Sequence, residues 1–357
     1  MLYSRLGQSG LVVSRLSLGT MTFTRGGGNA AIAKTDAASA DQILGRALDA
    51  GVNFVDTANI YADGQSEEML GDLLRDRRDR VVLATKAGWR GGAALMDSGL
   101  SAAHLHRAID GSLKRLRTDH VDLYIAHRND LNTPLEETLV ALDAIVRSGK
   151  ARYLGFSNWP AWKAAAAVQF QRDNGLAAFT HGQMMYSLLG RGIEDEVAPM
   201  MQHFGLGLTA WSPLAGGFLS GKYTRENLGD AANRLSGFDQ IPFDRDKGFA
   251  LLDTLRAIAG AHDSASVAQV AIAWLLAKPA VSSVILGASK LAQLDDNLAA
   301  AELALSADEV ARLDATTKPA PSYPGWVVNV PDAIITAALR AKPGDGHLPD
   351  IKALRAF

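Results

Sequence analysis

Four side chains capable of acid–base chemistry follow three successive apolar runs of the sequence. They are Asp56, Tyr61, Lys86 and His127. Each alone has an ordinary explanation, since an aspartate can cap a helix, a tyrosine can pack, a lysine can face solvent and a histidine can be structural. However, Asp56, Lys86 and His127 each end a strand-like run. Tyr61 lies five residues after Asp56, in NIYADG. This joint placement predicts a catalytic group at one end of a sheet.

The chemistry that suits these side chains is proton transfer from a phenol. A tyrosine with a pKa of about 10 gives up its proton poorly at neutral pH, so it needs a neighbour that favours the phenolate. Lys86 can supply that positive charge, and Asp56 can keep a buried lysine ionised. His127 can either orient a substrate carbonyl or pass a proton towards Tyr61. The two roles of His127 stay open from the sequence.

Two other chemistries compete with proton transfer. A metal at His127 is one, but no second histidine or carboxylate shows ligand spacing with it, so we expect no metal. A Schiff base on Lys86, as in a barrel aldolase or isomerase, is the other. Cysteine is absent, which removes thiol nucleophiles and disulfides.

The composition is that of an ordinary globular protein. Of 357 residues, 48% are hydrophobic and 21% charged, and the net charge is −2 with no basic block, so we expect no nucleic-acid partner. The first residues, 1–17, lack a basic region followed by a sustained apolar stretch, and no uncharged apolar run reaches about 18 residues. We therefore expect a cytoplasmic protein with no membrane partner.

Strand-like runs alternate with amphipathic stretches along most of the chain. The predicted strands are Leu16–Gly19, Asn53–Asp56, Val81–Thr85, Val121–Ala126, Tyr153–Ser157, Phe179–Met184, Leu206–Trp211 and Ser283–Leu286. The predicted helices are Ala40–Ala50, Glu67–Arg75, Ala102–Leu116, Leu135–Ser148, Ala161–Asn174, Glu194–Phe204 and Val267–Ala277. This alternation predicts an α/β protein with a closed (β/α)8 TIM barrel, in a single domain over residues 1–317.

An open doubly wound sheet is the alternative architecture. Such a sheet carries a glycine-rich turn of fixed spacing after its first strand, and the TRGGG that ends at Gly28 lacks that spacing. Two segments interrupt the alternation: a long loop after the seventh strand, Ser212–Ser266, and a C-terminal tail, 318–357, expected to pack on or near the barrel. Long excursions from a barrel commonly build its ligand site, so both are candidate covers.

Six stretches resemble the aldo-keto reductase superfamily, in the branch that includes the potassium-channel β subunits. They are FVDTANIYADGQSEEMLGDLL, ATKAG, LYIAHRND, GFSNW, AWSPLAGGFLSGKY and ILGASKLAQLDDN, within residues 3–311. The resemblance implies a barrel that binds NADPH or NADH and reversibly reduces a ketone or aldehyde. Hydride would come from nicotinamide C4 and a proton from Tyr61, with Lys86, Asp56 and His127 completing the tetrad. The β subunits imply an alternative, a cofactor-binding regulatory subunit with little turnover.

The same resemblance implies a set of cofactor contacts. Positions that match the nicotinamide site are Asp56, Ser157, Asn158 and Gln183, with Trp211 as the stacking aromatic. Positions that match the pyrophosphate cover are Ser212, Pro213, Leu214, Gly216 and Lys222. Positions that match the adenosine site are Gly287, Ser289, Lys290, Gln293 and Asn297, and Thr20 and Met21 are further predicted contacts. Arg234, in the long loop, is a candidate to compensate for an arginine that many members carry and this chain lacks.

Cofactor choice and substrate are less determined. Many members carry an arginine that recognises the 2′-phosphate where this chain has Gln293, so NADPH is expected and NADH stays open. Trp89, close to Lys86, and Trp326, in the tail, are the predicted walls of the substrate pocket. The partner is a small carbonyl or alcohol that the sequence does not identify, and the sequence does not reveal the oligomeric state.

Overall fold

The computed structural model describes residues 1–228, 230, 234–237, 239, 241–263, 265–320, 322–324 and 326. The chain divides into two compact units, Met1–Lys318 and Pro319–Phe357. All the secondary structure named below lies in the first unit.

Eight parallel strands close into a barrel, preceded by a small antiparallel hairpin. The hairpin strands are β1 (Tyr3–Arg5) and β2 (Val12–Ser14). The barrel strands are β3 (Leu16–Gly19), β4 (Phe54–Asp56), β5 (Val82–Ala87), β6 (Val121–Ala126), β7 (Ala151–Ser157), β8 (Phe179–Met185), β9 (Gly207–Trp211) and β10 (Val281–Gly287). They follow one another around the barrel in chain order, and β10 pairs with β3 to close it. The predicted (β/α)8 barrel is confirmed.

Helices alternate with the barrel strands. They are α1 (Ala37–Asp49), α2 (Gln65–Leu73), α3 (Ala102–Leu116), α4 (Leu135–Arg147), α5 (Ala161–Asp173), α6 (Val197–Phe204), α7 (Arg234–Gly237), α8 (Arg245–Ala259), α9 (Val267–Leu276), α10 (Leu291–Ala299) and α11 (Ala307–Thr317). The side chain of Ser101 caps α3, and Ser266 forms a capping box with Gln269 at the start of α9. No helix in the described part of the chain is long and apolar enough to cross a membrane.

Several element boundaries differ from the pattern-based ones, those of α1 and β5 among them. Helix α1 begins earlier than predicted because the carboxylate of Asp36 accepts a hydrogen bond from the backbone N–H of Ser39 and fixes the first turn. Strand β5 runs beyond Thr85, so Lys86 lies inside the strand, one residue before its end.

The segment Ser212–Ser266 is not the irregular excursion that the sequence pattern indicated. It contains α8, a helix of 15 residues whose Leu251, Leu252 and Leu255 are buried. The side chain of Asp244 caps it by accepting from two backbone N–H groups. The apolar spacing and the preceding aspartate are the sequence signals that identify this helix.

A layer of apolar side chains closes the lower part of the barrel. Phe54, Ala84, Leu123 and Ile125 form one buried cluster with residues of the N-terminal hairpin. Because side chains two positions apart in a strand share a face, the residues that follow this layer also point into the barrel. These next residues are Asp56, Lys86 and His127. The pleat of three neighbouring strands therefore brings these polar groups together above an apolar floor.

Candidate active site

Lys86 is the centre of the polar group at the carboxyl ends of the strands. Its side chain is fully buried. The Nζ atom lies 2.5 Å from Oδ1 of Asp56, 2.7 Å from the carbonyl oxygen of Thr57 and 3.1 Å from the hydroxyl of Tyr61. An ammonium group has three hydrogens to donate, and these three oxygens accept all of them. The geometry fixes a charged lysine beside the phenol.

Asp56 is held on both of its oxygens. While Oδ1 accepts from Lys86, Oδ2 accepts a hydrogen bond from Nε2 of Gln183 at 2.9 Å. Asp56 itself is 2% exposed. A buried carboxylate is tolerated when it is both ion-paired and hydrogen-bonded, and Asp56 meets both conditions.

The pKa values of this group favour a protonated lysine and a protonated tyrosine at neutral pH. Burial alone would lower the pKa of Lys86, but the attraction of Asp56 and Tyr61 outweighs burial and raises that pKa. Burial also raises the pKa of Tyr61, and Lys86 opposes that rise without cancelling it. The sequence-based expectation that Lys86 favours the phenolate has the correct sign, although the phenol still holds its proton in the resting protein.

Tyr61 is positioned by a strained turn. Ala62, Asp63 and Gly64 follow it with φ values of 48°, 57° and 92°. Two successive non-glycine residues in the left-handed region cost of order 1–3 kcal/mol each. Below the turn, the hydroxyl of Ser66 lies 2.8 Å from that of Thr20 and donates to the Thr20 carbonyl at 2.9 Å.

Ser66 also lies 3.0 Å from the hydroxyl of Thr57, so it ties the start of α2 to the ends of β3 and β4. Such hydrogen bonds offset the strain of the turn above them. Sequence reasoning did not identify Ser66. A serine two residues after a glycine is too common a pattern to single it out.

His127 stands on the other side of Tyr61. The two rings meet edge to face with centroids 5.9 Å apart, and the ring of Trp89 meets His127 edge to face at 6.3 Å. Burial, followed by the charge of Lys86, holds the pKa of His127 well below its ordinary value. Its Nδ1 is buried and has no hydrogen-bond partner among the described residues. The imidazole is therefore neutral.

The residues that match the nicotinamide site form a chain of hydrogen bonds. Ser157 Oγ donates to the carbonyl of Gln183 at 2.8 Å, and Nδ2 of Asn158 donates to Ser157 Oγ at 2.9 Å. Nε1 of Trp211 in turn donates to Oδ1 of Asn158 at 3.0 Å. Asn158 has a φ of 58°, a conformation that asparagine tolerates better than most residues. This series of hydrogen bonds ends at Asp56 through Gln183, so the structure brings these predicted residues together with Asp56.

The segment after β9 forms a tight turn whose backbone N–H groups donate within the turn. Ser212, Ala215 and Gly216 have positive φ values, and Oγ of Ser212 accepts from the N–H of Gly216 at 3.0 Å. Pro213 and Leu214 lie within this turn. The N–H groups of Ala215 and Gly217 donate to the carbonyls of Ser212 and Leu214 at 3.0 and 2.9 Å, which holds the turn closed.

Gly287, at the end of β10, is exposed, and Asn297, in α10, is buried. The side-chain oxygen of Gln293 accepts from both the N–H and the hydroxyl of Ser289, at 3.1 and 3.2 Å. Lys290 is the N-cap residue of α10. Thr20, at the end of β3, is buried and donates its hydroxyl to the carbonyl of Asp56 at 3.1 Å.

Four predicted residues remain: Met21, Lys222, Arg234 and Trp326. Met21 follows Thr20 and is half-buried. Lys222 is exposed, with its ammonium over the ring of Tyr223. The side chain of Arg234 lies outside the described residues. Trp326 belongs to the second unit, where it is 61% exposed and its ring contacts Tyr323. Among the described residues, no cluster of histidine, aspartate or glutamate is arranged to hold a metal ion.

Comparison with known proteins gives the family of this barrel. The aldo/keto reductase family model matches residues 15–318, which include Asp56, Tyr61, Lys86 and His127. The chain belongs to the aldo/keto reductase family. Membership of this family supports oxidoreductase activity.

The relatives of this aldo/keto reductase carry two kinds of name. The chain is 39% identical over 334 residues to a probable voltage-gated potassium channel subunit beta of Oryza sativa subsp. japonica, covering 90% of this chain and 98% of the relative. It is 40% identical over 319 residues to an uncharacterized oxidoreductase, YrpG, of Bacillus subtilis (strain 168), covering 85% of this chain and 92% of the relative. A probable potassium channel subunit beta of Arabidopsis thaliana is 37% identical over 314 residues, with 85% and 92% covered.

Proposed function

We propose that this protein reversibly reduces a ketone or aldehyde to an alcohol with NADPH, and that Tyr61 delivers the proton. The observation that carries the proposal is the buried ammonium of Lys86, which contacts both Asp56 and the Tyr61 hydroxyl. A charge fixed at that place stabilises a phenolate at the moment when the proton leaves. The same charge contributes little to binding a neutral substrate, so its effect falls mainly on the chemical step.

His127 orients the substrate carbonyl in this proposal. A proton relay through the imidazole needs a partner on each ring nitrogen, and Nδ1 has none among the described residues. A neutral imidazole with its hydrogen on Nε2 donates that hydrogen to a carbonyl oxygen held between His127 and Tyr61. The orienting role is therefore favoured over the relay.

The residues around the catalytic group suit a nicotinamide cofactor, which when bound supplies the hydride for the carbonyl carbon. Asn158 and Gln183 provide the amide donors and acceptors that a carboxamide requires. The turn that holds Ser212 and Gly216, directly after β9, is the segment that resembles the pyrophosphate cover of the family. Members of this family generally bind NADP(H).

The preference for NADPH over NADH rests on the end of β10. Lys290 precedes the first turn of α10, where its ammonium and the start of the helix suit a phosphate. Gln293 holds Ser289 in place by accepting both of its hydrogens. A small-molecule carbonyl or alcohol partner and a cytoplasmic location stay predictions.

A cofactor-binding regulatory subunit with little turnover is the second candidate. It is favoured by two relatives named as probable potassium channel β subunits, each matched over nine-tenths or more of its length. Such a subunit would bind NADPH without reducing added carbonyls at a useful rate.

The deciding experiment compares the wild-type protein with Tyr61→Phe. NADPH consumption is followed at steady state with a panel of ketones and aldehydes, and NADPH binding is measured separately by fluorescence titration. Carbonyl reduction requires turnover in the wild type, a loss of at least about a hundredfold in Tyr61→Phe, and little change in NADPH affinity. Binding without turnover supports the regulatory subunit, and full activity in Tyr61→Phe excludes Tyr61 as the donor.

A further inference from the structure

Arg128, the residue after His127, stands at the mouth of the site with an unused charge. Its guanidinium carbon lies 4.4 Å from the centre of the Trp89 ring, which itself meets His127 edge to face. The backbone of Arg128 is held in place, since its carbonyl accepts a hydrogen bond from Nε1 of Trp159 at 2.9 Å. The side chain is thereby fixed at both of its ends.

The hydrogen bonds of Arg128 leave one edge of the guanidinium free. Its Nε donates to the carbonyl of Asn129 at 3.2 Å, and the two terminal nitrogens donate to no residue that the structure describes. No described carboxylate lies within ion-pair distance. By contrast, Arg90, in the neighbouring loop, uses its terminal nitrogens on backbone carbonyls, and the Nε of Arg115 pairs with Glu67.

We propose that Arg128 binds a carboxylate group of the carbonyl substrate, so that the protein prefers aldehydes or ketones that carry an acid. This inference rests on the proposed function for the identity of the reacting group. Two terminal nitrogens of one guanidinium form a planar pair of donors that matches the two oxygens of a carboxylate. Stacking on Trp89 keeps this pair oriented and reduces the entropy lost on binding.

The spacing of the site restricts the substrate class further. The guanidinium carbon lies 4.4 Å from the centre of the Trp89 ring, and the centres of the Trp89 and His127 rings lie 6.3 Å apart. Arg128 and His127 therefore both border Trp89. A carbonyl at His127 and a carboxylate at Arg128 must therefore belong to one molecule of modest length. Trp89 is 41% exposed and provides an apolar wall between the two groups, which suits a short apolar or aromatic spacer.

The test compares an aldehyde that carries an acid with the same aldehyde without the charge. Its probes are 4-carboxybenzaldehyde and its methyl ester, assayed with NADPH. In the wild type we expect kcat/KM to be at least about tenfold higher for the acid. Arg128→Met keeps the apolar stem over Trp89 but removes the charge, and should reduce kcat/KM for the acid by about ten- to a hundredfold, mainly through KM. The value for the ester should change less than about twofold.

Two further variants make the result specific. Arg128→Lys retains the charge without the paired donors, so it should recover only part of the preference for the acid. Arg152→Met is the matched control, because Arg152 is exposed near the start of β7, at the opposite end of the barrel strand from the catalytic group. The inference would be overturned if kcat/KM fell equally for acid and ester in Arg128→Met, or if the wild type showed no preference for the acid. Either result would leave the proposed function standing.

A binding measurement separates this inference from the proposed function. The full chain, without nicotinamide, is titrated with 4-carboxybenzaldehyde and with its ester by isothermal titration calorimetry. If neither compound is reduced but the acid binds the wild type at least about tenfold more tightly than Arg128→Met, the proposed function fails and the carboxylate site stands. If acid and ester bind both proteins equally, the carboxylate site is wrong.

Discussion

Gln183 donates a hydrogen bond to Oδ2 of Asp56 at 2.9 Å, across the barrel from β8 to β4. Because the other oxygen of Asp56 accepts from Lys86, the amide prevents the carboxylate from rotating away from the lysine. The position of the ammonium, and with it the acidity of Tyr61, therefore depends on a residue that the sequence pattern linked only to the cofactor.

Replacing Asp56 by Asn should move the alkaline limb of the pH–rate profile. Without the carboxylate charge, burial would lower the pKa of Lys86, so the ammonium would deprotonate at a lower pH. We expect kcat at neutral pH to fall by about a hundredfold and the alkaline limb to shift towards acid. The profile of kcat against pH measures both effects.

The exposed Asp110 of α3, paired with Lys150 on the surface, provides the control variant Asp110→Asn. That variant should keep the profile of the wild type. A profile of Asp56→Asn that keeps its alkaline limb in place would contradict the role of Asp56 in holding the charge of Lys86.

Stability should fall in acid because of His181, a fully buried residue of β8. Burial and the charge of Lys86 lower the pKa of His181 to about 3. The unfolded chain takes up a proton near the ordinary pKa of about 6.5, whereas the folded chain does not, so stability is present above that pH and is lost as pH falls towards 3. At pH 4 the loss from this residue is about 3 kcal/mol.

Urea unfolding of His181→Leu and the wild type between pH 7 and pH 4 measures this contribution. The unfolding free energy of the wild type should decrease relative to that of His181→Leu as the pH decreases. The exposed His203, replaced by Gln, should leave the pH dependence unchanged. Parallel curves for His181→Leu and the wild type would show that His181 takes up its proton normally when folded.

Gly155 should not tolerate a side chain. A Cβ atom at this position would lie 2.2 Å from Cε1 and 2.7 Å from Nδ1 of His181, inside the barrel. Overpacking of a closed core typically costs 1–3 kcal/mol, so we expect Gly155→Ala to lose about 2 kcal/mol or more of unfolding free energy.

The matched control is Gly45→Ala in α1, where an added Cβ would have no atom within 4 Å. That change should stabilise the protein by about 0.5–1 kcal/mol, because alanine loses less entropy than glycine in a helix. The unfolding free energies of Gly155→Ala and Gly45→Ala, measured by chemical denaturation, should therefore change in opposite directions relative to the wild type. Similar stabilities would mean that the ring of His181 moves aside at little cost.

Removing the side chain of Asn158 should weaken NADPH binding. Asn158→Gly preserves the left-handed backbone while removing the hydrogen bonds to Ser157 and Trp211. We expect the NADPH dissociation constant to rise about tenfold, with a smaller effect on kcat, in a fluorescence titration. Asn174→Ala, at the end of α5, serves as control. Unchanged affinity in Asn158→Gly would remove this residue from the cofactor site.

The barrel, and the meeting of Asp56, Lys86 and His127 at one end of it, were largely predictable from sequence, whereas several supporting contacts were not. Asp56, Lys86 and His127 follow apolar residues in strands, and the two-residue repeat of a strand determines where they point. Ser66 and Gln183 act through partners far away in the chain, and no local pattern indicates such pairing. The free edge of Arg128 was missed for a different reason, since an arginine in a loop usually faces solvent.

The apolar floor of the barrel has a consequence for proton traffic. Phe54, Ala84 and Leu123 lie beneath the ammonium of Lys86, and they offer no group that can accept or donate a proton. Along β4, β5 and β6 the ammonium therefore has no proton-carrying neighbour below it, and its direct contacts are the oxygens of Asp56, Thr57 and Tyr61. A proton that leaves Lys86 by these contacts passes first to Asp56 or Tyr61, which couples the charge state of the lysine to the two side chains beside it.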